Sequence, residues 1–347
     1  MKALVTGGGG FLGKAIAKKL LESGVQVRSF SRGTYPDLQK LGIETFSGDI
    51  ADGAAVEQAC SGCDIVFHVA AKPGVWGPYE EYYRANYVGT EKVVEACKKL
   101  KIGRLVYTSS PSVVFNGKNM ENGNESVPYP DHYEAHYPKT KAMAEKLVLA
   151  SNTPTLATVA LRPHLIWGPG DNHLIPRIVA AGRQGKLKLV GDGSNRIDTV
   201  YIDNAADAHV LAGEKLAPGS ACAGKAYFLS NGDPRPIVEI MNGILRAAGL
   251  QPLSASATVS PTVAWMIGGL LEFGYKLFQI SGEPRITRFT ANELSTTHWF
   301  DLTAIRRDLG YAPQVSIDEG MARLKTWFDT HQSPSERPHQ LTRIIQG

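Results

Sequence analysis

Four cysteines in 347 residues are too few for a disulfide scaffold. Cys60 and Cys63 have C-x-x-C spacing, but no second pair at zinc spacing follows. The pattern reads as buried thiols, no metal ligands are expected, and a reducing cytoplasm fits. Apolar runs are short as well. The most apolar late stretch, residues 263–271, falls far below the roughly 20 residues needed to span a bilayer, so no membrane span is expected. A core helix or the wall of an acyl pocket is the expectation there, ahead of a helix resting on lipid. Long basic runs are missing too. With a formal net charge of +4, nothing supports nucleic-acid binding, and Lys98-Lys99-Leu100-Lys101 reads as the cationic end of a helix. The first residues lack the charged start and long apolar centre of a secretion signal.

What the chain does have is glycine in one place. Met1 to Thr6 is a short apolar run of strand length, Gly7-Gly8-Gly9-Gly10-Phe11-Leu12-Gly13 follows, and Ile16, Ala17, Leu20 and Leu21 then recur at helical spacing. Strand, glycine turn and helix form a phosphate-binding βα unit. The glycines let the backbone approach a pyrophosphate, and the helix start supplies free N–H groups and a positive dipole end. Gly7, Gly10 and Gly13 give G-x-x-G-x-x-G, and Gly8, Gly10 and Gly13 also fit G-x-G-x-x-G. Because Thr6 ends the strand, Gly7 is preferred as the first glycine.

Strand-like and helix-like segments alternate through the first half. Strands are expected at 25–30, 43–46, 64–69, 104–108 and 155–161, with helices clearest at 83–99 and 139–150. This implies an α/β fold, a doubly wound parallel sheet with ligand at the carboxyl ends of its strands. After Pro163 the rhythm breaks. Residues 1–165 are read as the nucleotide-binding domain, with later returns near 195–230. Residues 166–194 and 237–330 are read as a smaller, mostly helical C-terminal substrate lobe, and 333–347 as a loosely ordered tail.

An acidic residue at the end of the second strand would hydrogen-bond the ribose of NAD. That place reads Phe30-Ser31-Arg32, with no carboxylate. Ser31 removes a repulsion and Arg32 offers a planar cationic fork to a phosphate, so NADP(H) is preferred. Arg32 as a solvated loop residue is the alternative. Asp49, with Ile50, is placed to meet the adenine, or is an exposed turn residue.

Tyr107-Thr108-Ser109-Ser110 ends the fifth expected strand, and Tyr137-Pro138-Lys139-Thr140-Lys141 opens a helix. Residues four apart share a helix face, so Tyr137 and Lys141 point the same way. Reduction of a ketone needs hydride at carbon and a proton at the developing alkoxide. A phenol titrates near pH ~10, and a nearby ammonium favours its phenolate. A serine hydroxyl can hold the substrate oxygen in line.

These residues resemble the extended short-chain dehydrogenase/reductases, which have a Rossmann fold. Within them the chain is similar to the 3β-hydroxysteroid and sterol-4-carboxylate dehydrogenase branch, and most of all to its reductases of bacterial long-chain olefin synthesis. The resemblance is carried by Thr6 to Gly13, Val69-Ala70-Ala71-Lys72, Trp76-Gly77, Asn86 to Thr90, Tyr107 to Val113, Leu161 to Asp171 and Val190 to Asn195. It implies Tyr137 as proton donor, Lys141 as its pKa modulator and ribose ligand, and Ser110, or else Ser109, at the carbonyl oxygen. It implies Gly7, Gly10, Phe11, Leu12 and Gly13 at the pyrophosphate. Ser31, Arg32, Asp49, Ile50, Ala70, Ala71, Lys72, Pro163 and Ile166 would line the rest of the cofactor.

The implied substrate is a long-chain 2-alkyl-3-oxoalkanoate. Its chains would need an apolar wall, from among Trp76, Trp167, Val263, Trp265, Met266, Leu270, Leu271 and Phe273. Its carboxylate would need a cation, from among Lys72, Arg196 and His164, which would also slow decarboxylation of the keto acid. The implied partners are a second copy of the chain and a soluble assembly with a thiolase-like condensing enzyme, a β-lactone synthetase and an α/β-hydrolase-type protein. Two other readings stand beside this one: an NAD(P)-dependent hydroxysteroid or sterol-carboxylate dehydrogenase, and a non-catalytic NADP-sensing protein.

Overall fold

The structure is a computed structural model that describes residues 1–254 and 256–331. The tail expected over 333–347 lies outside the described residues. Seven parallel strands form the main sheet: β1 Lys2–Thr6, β2 Gln26–Ser31, β3 Glu44–Ser47, β4 Ile65–His68, β5 Arg104–Thr108, β6 Ala157–Pro163 and β7 Lys225–Leu229. Their spatial order is β7-β6-β5-β4-β1-β2-β3. The reversal between β1 and β4 opens a crevice at the carboxyl edge, where ligands bind in sheets of this kind. β1, β4 and β6 are buried almost throughout, as both faces are covered by helices. The helix Phe11–Glu22 turns Leu12, Gly13, Ile16, Ala17 and Leu20 into that core. β7 is the late return to the sheet, with Lys225 opposite Val159.

The second half, with one strand from the first, builds a separate layer. Four short strands, Arg235–Pro236, Arg196–Ile197, His298–Phe300 and Met120–Gly123, pair in that order. Helices Ile237–Ala247, Pro261–Leu277, Arg288–Ser295, Thr303–Leu309 and Ile317–His331 surround them.

Two expectations need correction. The helix expected from residue 83 begins as a π-helical turn, Tyr83–Val88, before the α-helix Gly89–Lys99. The wider turn aims Asn86 inward, where Oδ1 accepts from Lys72 N (2.7 Å) and Nδ2 donates to Thr140 Oγ1 (3.1 Å). Such turns recur where function requires a side chain to be re-aimed. The apolar stretch at 263–271 is neither core nor pocket wall. Of the helix Pro261–Leu277 only Ala264 and Gly268 are buried. A Cβ at Gly268 would lie 2.7 Å from the Thr287 carbonyl carbon, so the helix docks through its small residues. Its large ones face outward, Leu270 at 71% exposure and Phe273 at 66%.

One buried ion pair joins the layers around the crevice. Glu145, on the helix His136–Ala150, is fully buried, and Arg162 of β6 is 3% exposed. Arg162 Nη2 donates to Glu145 Oε1 (2.6 Å) and Nε to Oε2 (3.0 Å), and the Tyr129 hydroxyl donates to Oε1 (2.6 Å). Such a planar fork fixes orientation as well as distance. Removing one partner strands a buried charge. Glu145→Ala is therefore expected to lose about 3–5 kcal/mol of unfolding free energy in a urea titration. The double change Glu145→Leu with Arg162→Met should recover most of it. A single-variant loss below about 1 kcal/mol would match an exposed pair instead.

Candidate active site

The crevice is a cleft of about 730 Å³. Its floor at one end is the glycine turn. Gly7 has φ +69°, and a Cβ there would lie 2.9 Å from Ala70 Cα; a Cβ at Gly13 would lie 2.2 Å from Gly7 O. Neither position accepts a side chain, and Gly7 carries the positive φ that only glycine adopts easily. Gly10 caps the helix start without a side-chain partner. The N–H groups of Phe11, Leu12 and Gly13 thus face the cleft as first-turn donors, a cradle that fits a diphosphate. Thr6 ties the neighbouring strand end: its Oγ1 accepts from Val69 N and Ala70 N (both 3.1 Å) and meets His68 Nδ1 at 2.7 Å. Burial lowers His68 to about 3, so the ring is a neutral strut.

Of the expected cofactor residues, Gly7, Gly10, Phe11, Leu12, Gly13, Ser31, Arg32, Asp49, Ile50, Ala70, Ala71, Lys72, Tyr137, Lys141, Pro163 and Ile166 all line this cleft. Ser31 Oγ accepts from Gly9 N (3.2 Å), and Arg32 is exposed at the rim. The Asp49 carboxylate already accepts from Ala51 N (2.9 Å) and from Arg84 (2.6 Å). Those bonds hold it below the usual carboxylate range. Tyr35, Arg84, His173 and Leu174 also line the cleft, and sequence reasoning missed them. The Tyr35 ring lies where any side chain at Gly9 would go, a contact visible only in the structure.

At the other end sit the polar groups expected to react. Ser110 Oγ lies 2.8 Å from Ser112 Oγ and accepts from Ser112 N (3.2 Å), which orients its hydroxyl at the start of the short turn Pro111–Val114. Burial pushes the Tyr137 phenol up to about 12, a hydrogen bond with Ser110 lowers it, and the charge of Glu293 raises it. Lys141 Nζ donates to Thr108 O (2.6 Å) and lies 4.1 Å from the centre of the Tyr107 ring. Burial depresses its pKa to about 7. Ser110 hydrogen-bonds the Tyr137 phenol, and Lys141 stands on the same helix four residues on. Ser109 also lines the cleft, and its buried Oγ has no hydrogen-bond partner among the described residues.

The expected substrate residues are not brought together. Arg196 lies on the small sheet, and its guanidinium donates to Pro234 O (2.8 Å). His164 Nδ1 is bonded to Asp198 O (2.7 Å), its ring packs edge-on against His298 and Phe300, and burial lowers it to about 4. Neither is among the residues that line the cleft. Lys72 does line it, paired with Glu81 at 2.9 Å. Trp76 lines two adjoining cavities, one with Tyr275 and Lys276 and one with His173 and Glu283. Trp167 is core, its Nε1 donating to Thr199 Oγ1 (3.0 Å).

Among the described residues no helix is long and apolar enough to cross a membrane, and no cluster of three or more His, Cys, Asp or Glu could hold a metal ion.

Residues 4–257 match the 3-beta hydroxysteroid dehydrogenase/isomerase family. The chain is 53% identical to a 2-alkyl-3-oxoalkanoate reductase of Stenotrophomonas maltophilia, over 94% of this chain and 98% of that one. It is 49% identical to a protein of the same name from Shewanella oneidensis, over 93% and 85%. Among solved structures it is similar to MoeE5 in complex with UDP-glucuronic acid and NAD, with a TM-score of 0.72, 25% identity, and coverage of 95% and 99%. The chain is an oxidoreductase and belongs to the 3-beta hydroxysteroid dehydrogenase/isomerase family of extended short-chain dehydrogenases/reductases.

Proposed function

We propose that this protein uses NADPH to reduce the 3-keto group of a 2-alkyl-3-oxoalkanoate to the 2-alkyl-3-hydroxyalkanoate, a reversible step of long-chain olefin synthesis. The observation that carries the reading is the Ser110–Tyr137 hydroxyl pair at the carboxyl edge of the sheet, beside a diphosphate cradle. The family and the cleft support a pyridine nucleotide, and the bound nicotinamide would supply hydride. NADPH is our choice because Ser31 and Arg32 line the rim without a carboxylate on that loop. The part comprising residues 1–165, with its return near 195–230, would hold the nucleotide. Residues 166–194 and 237–330 would cover the substrate.

The chain's own residues divide the remaining work. Ser110 holds the ketone oxygen, its hydroxyl oriented by Ser112. Tyr137 donates a proton to that oxygen as negative charge develops on it. Lys141, anchored on the Thr108 carbonyl, would bind ribose and stabilise the phenolate left behind. Lys72 is the remaining candidate for the substrate carboxylate, in exchange for Glu81.

Four buried free cysteines suit a reducing cytoplasm. We assign docking of a condensing enzyme, a β-lactone synthetase or an α/β-hydrolase-type partner to the outward face of the helix Pro261–Leu277, which is far more apolar than an ordinary surface. A homo-oligomer built elsewhere on the chain is compatible with it. Leu270→Glu with Phe273→Glu should abolish co-elution with such partners in size-exclusion chromatography while NADPH affinity stays the same. Co-elution retained by the double variant would remove this face from consideration.

The function is tested with a synthetic 2-alkyl-3-keto acid and NADPH carrying deuterium at the transferable position. One deuterium should appear at the product carbon bearing the hydroxyl, and none there would rule out hydride transfer to the ketone. In the same assay Arg32→Ala should raise KM for NADPH about ten- to hundredfold, the worth of a lost charge-assisted bond, with little change for NADH. Equal effects on both nucleotides would remove Arg32 from phosphate recognition.

A further inference from the structure

Beyond β4 the chain runs through a loop, residues 69–78, that carries Lys72 and Trp76. Two further cavities meet at this loop. The near one, about 490 Å³, shares Lys72, Pro73, Glu81 and His173 with the cleft. The far one, about 450 Å³, lies on the other side of Trp76, Gly77 and Pro78, the residues common to both cavities. Each volume is in the range of small-molecule sites. The far cavity reaches Ala135 and His136, which directly precede Tyr137.

The loop between the cavities is a fixed partition. Gly74 has φ +97° and Gly77 φ +132°, values that suit glycine, and the residues between them are held from three sides. The Tyr82 hydroxyl donates to Trp76 O (2.9 Å), Glu283 Oε1 accepts from Val75 N (2.9 Å), and the indole meets the Tyr275 ring edge-on at 6.1 Å. An edge-on aromatic pair favours one geometry, so the indole has a preferred setting. Lys276 Nζ lies 5.8 Å from the centre of the same ring. Glu283 also pairs with Arg177 (2.6 Å), which ties the loop to the helix Leu174–Arg183.

The two cavities differ in chemistry. Two ion pairs, Lys72–Glu81 (2.9 Å) and Arg177–Glu283, edge the near one, and its cations suit a carboxylate. The far one takes apolar surface from Val75, Trp76, Pro78, Tyr275 and Phe289. Its carboxylates are already engaged, Glu272 with Arg288 (2.7 Å) and Glu134 with Asn292 (2.9 Å). An alkyl chain entering there would cover apolar surface without stranding a charge. A 2-alkyl-3-oxoalkanoate has its carboxylate on one side of the ketone and an alkyl chain on the other.

We propose that the far cavity receives the ketone-side chain and that Trp76 selects the length of that chain. The proposal rests on the ketone-reductase reading. With the ketone oxygen at Ser110 and Tyr137 and the carboxylate toward Lys72, the chain passes the indole to reach the space beyond. Each methylene that fits adds apolar contact, and one too many meets the wall. A hydrophobic pocket discriminates about ten- to 200-fold per methylene in this way.

The test has a kinetic and a turnover-free arm. Synthetic 2-alkyl-3-keto acids whose ketone-side chain lengthens carbon by carbon are reduced with NADPH. For the unaltered protein kcat/KM should rise with length to a limit and then fall. Trp76→Ala should move that limit to longer chains. It should change the ratio of kcat/KM between the longest and shortest acids about tenfold or more, chiefly through KM. Trp76→Phe, which keeps a ring against Tyr275, should move the limit less, and KM for NADPH should stay the same in both variants. One length limit for all three proteins, or an equal loss at every length, overturns the proposal. In the second arm ω-bromoundecanoic acid is added without nucleotide, since bromine quenches the fluorescence of a tryptophan it touches. The other tryptophans are the same in both proteins, so the difference between the unaltered chain and Trp76→Phe isolates Trp76. Saturable quenching that is mostly lost in Trp76→Phe supports the placement, and quenching kept in full by that variant overturns it. If the unaltered protein reduces none of the keto acids, the functional reading fails, while the bromo acid still decides whether a chain lies against Trp76.

Discussion

The bidentate pair between Glu145 and Arg162 is the constraint on which the site depends. Helix His136–Ala150 carries both Tyr137 and Lys141, and β6 carries Arg162 and ends at Pro163, which lines the cleft. A planar fork clamped in a dry interior leaves the helix little freedom to slide or roll along the sheet. Hydrophobic packing alone is less directional and would tolerate small shifts. Tyr129 adds a third bond to the same carboxylate, which brings the segment before the helix into register as well. The cost of burying these charges is thus converted into a fixed approach of a phenol to the carboxyl edge of the sheet.

That approach explains the electrostatic character of the cleft. It is lined by two groups whose charged forms burial disfavours: Tyr137 is raised and Lys141 lowered. Neither of the two is comfortable when charged alone, so each is ready to pass or accept a proton when a neighbour changes state. Ser110 supplies the one hydrogen bond that eases the phenol, and Thr108 O holds the lysine that would meet the ribose. The glycine turn works by a different principle. There the requirement is steric, with backbone atoms of Gly7, Gly13 and Ala70 so close that a single methyl group would force them apart.

Much of this was legible in the sequence because it is local. A strand, a tight turn and a helix announce themselves through apolar spacing and glycine, and residues four apart on a helix must share a face. For that reason the glycine turn and the shared face of Tyr137 and Lys141 could be read from residue types, while the choice of Ser110 and the roles of all three came from the family resemblance. What was not legible depends on tertiary packing. Arg196 stands on a strand of the small sheet and His164 just past β6, and their polar groups are taken up by Pro234 O and Asp198 O. Residues 263–271 are apolar enough for a core, but their glycine face is the one that docks, which leaves the large side chains outward.

The most direct test of the account is the single-turnover rate of Tyr137→Phe protein saturated with NADPH and keto acid, compared with the unaltered chain. Loss of the proton donor alone predicts a rate about a hundredfold or more lower with nucleotide affinity preserved. A rate equal to that of the unaltered protein would contradict the assignment of the proton to this phenol.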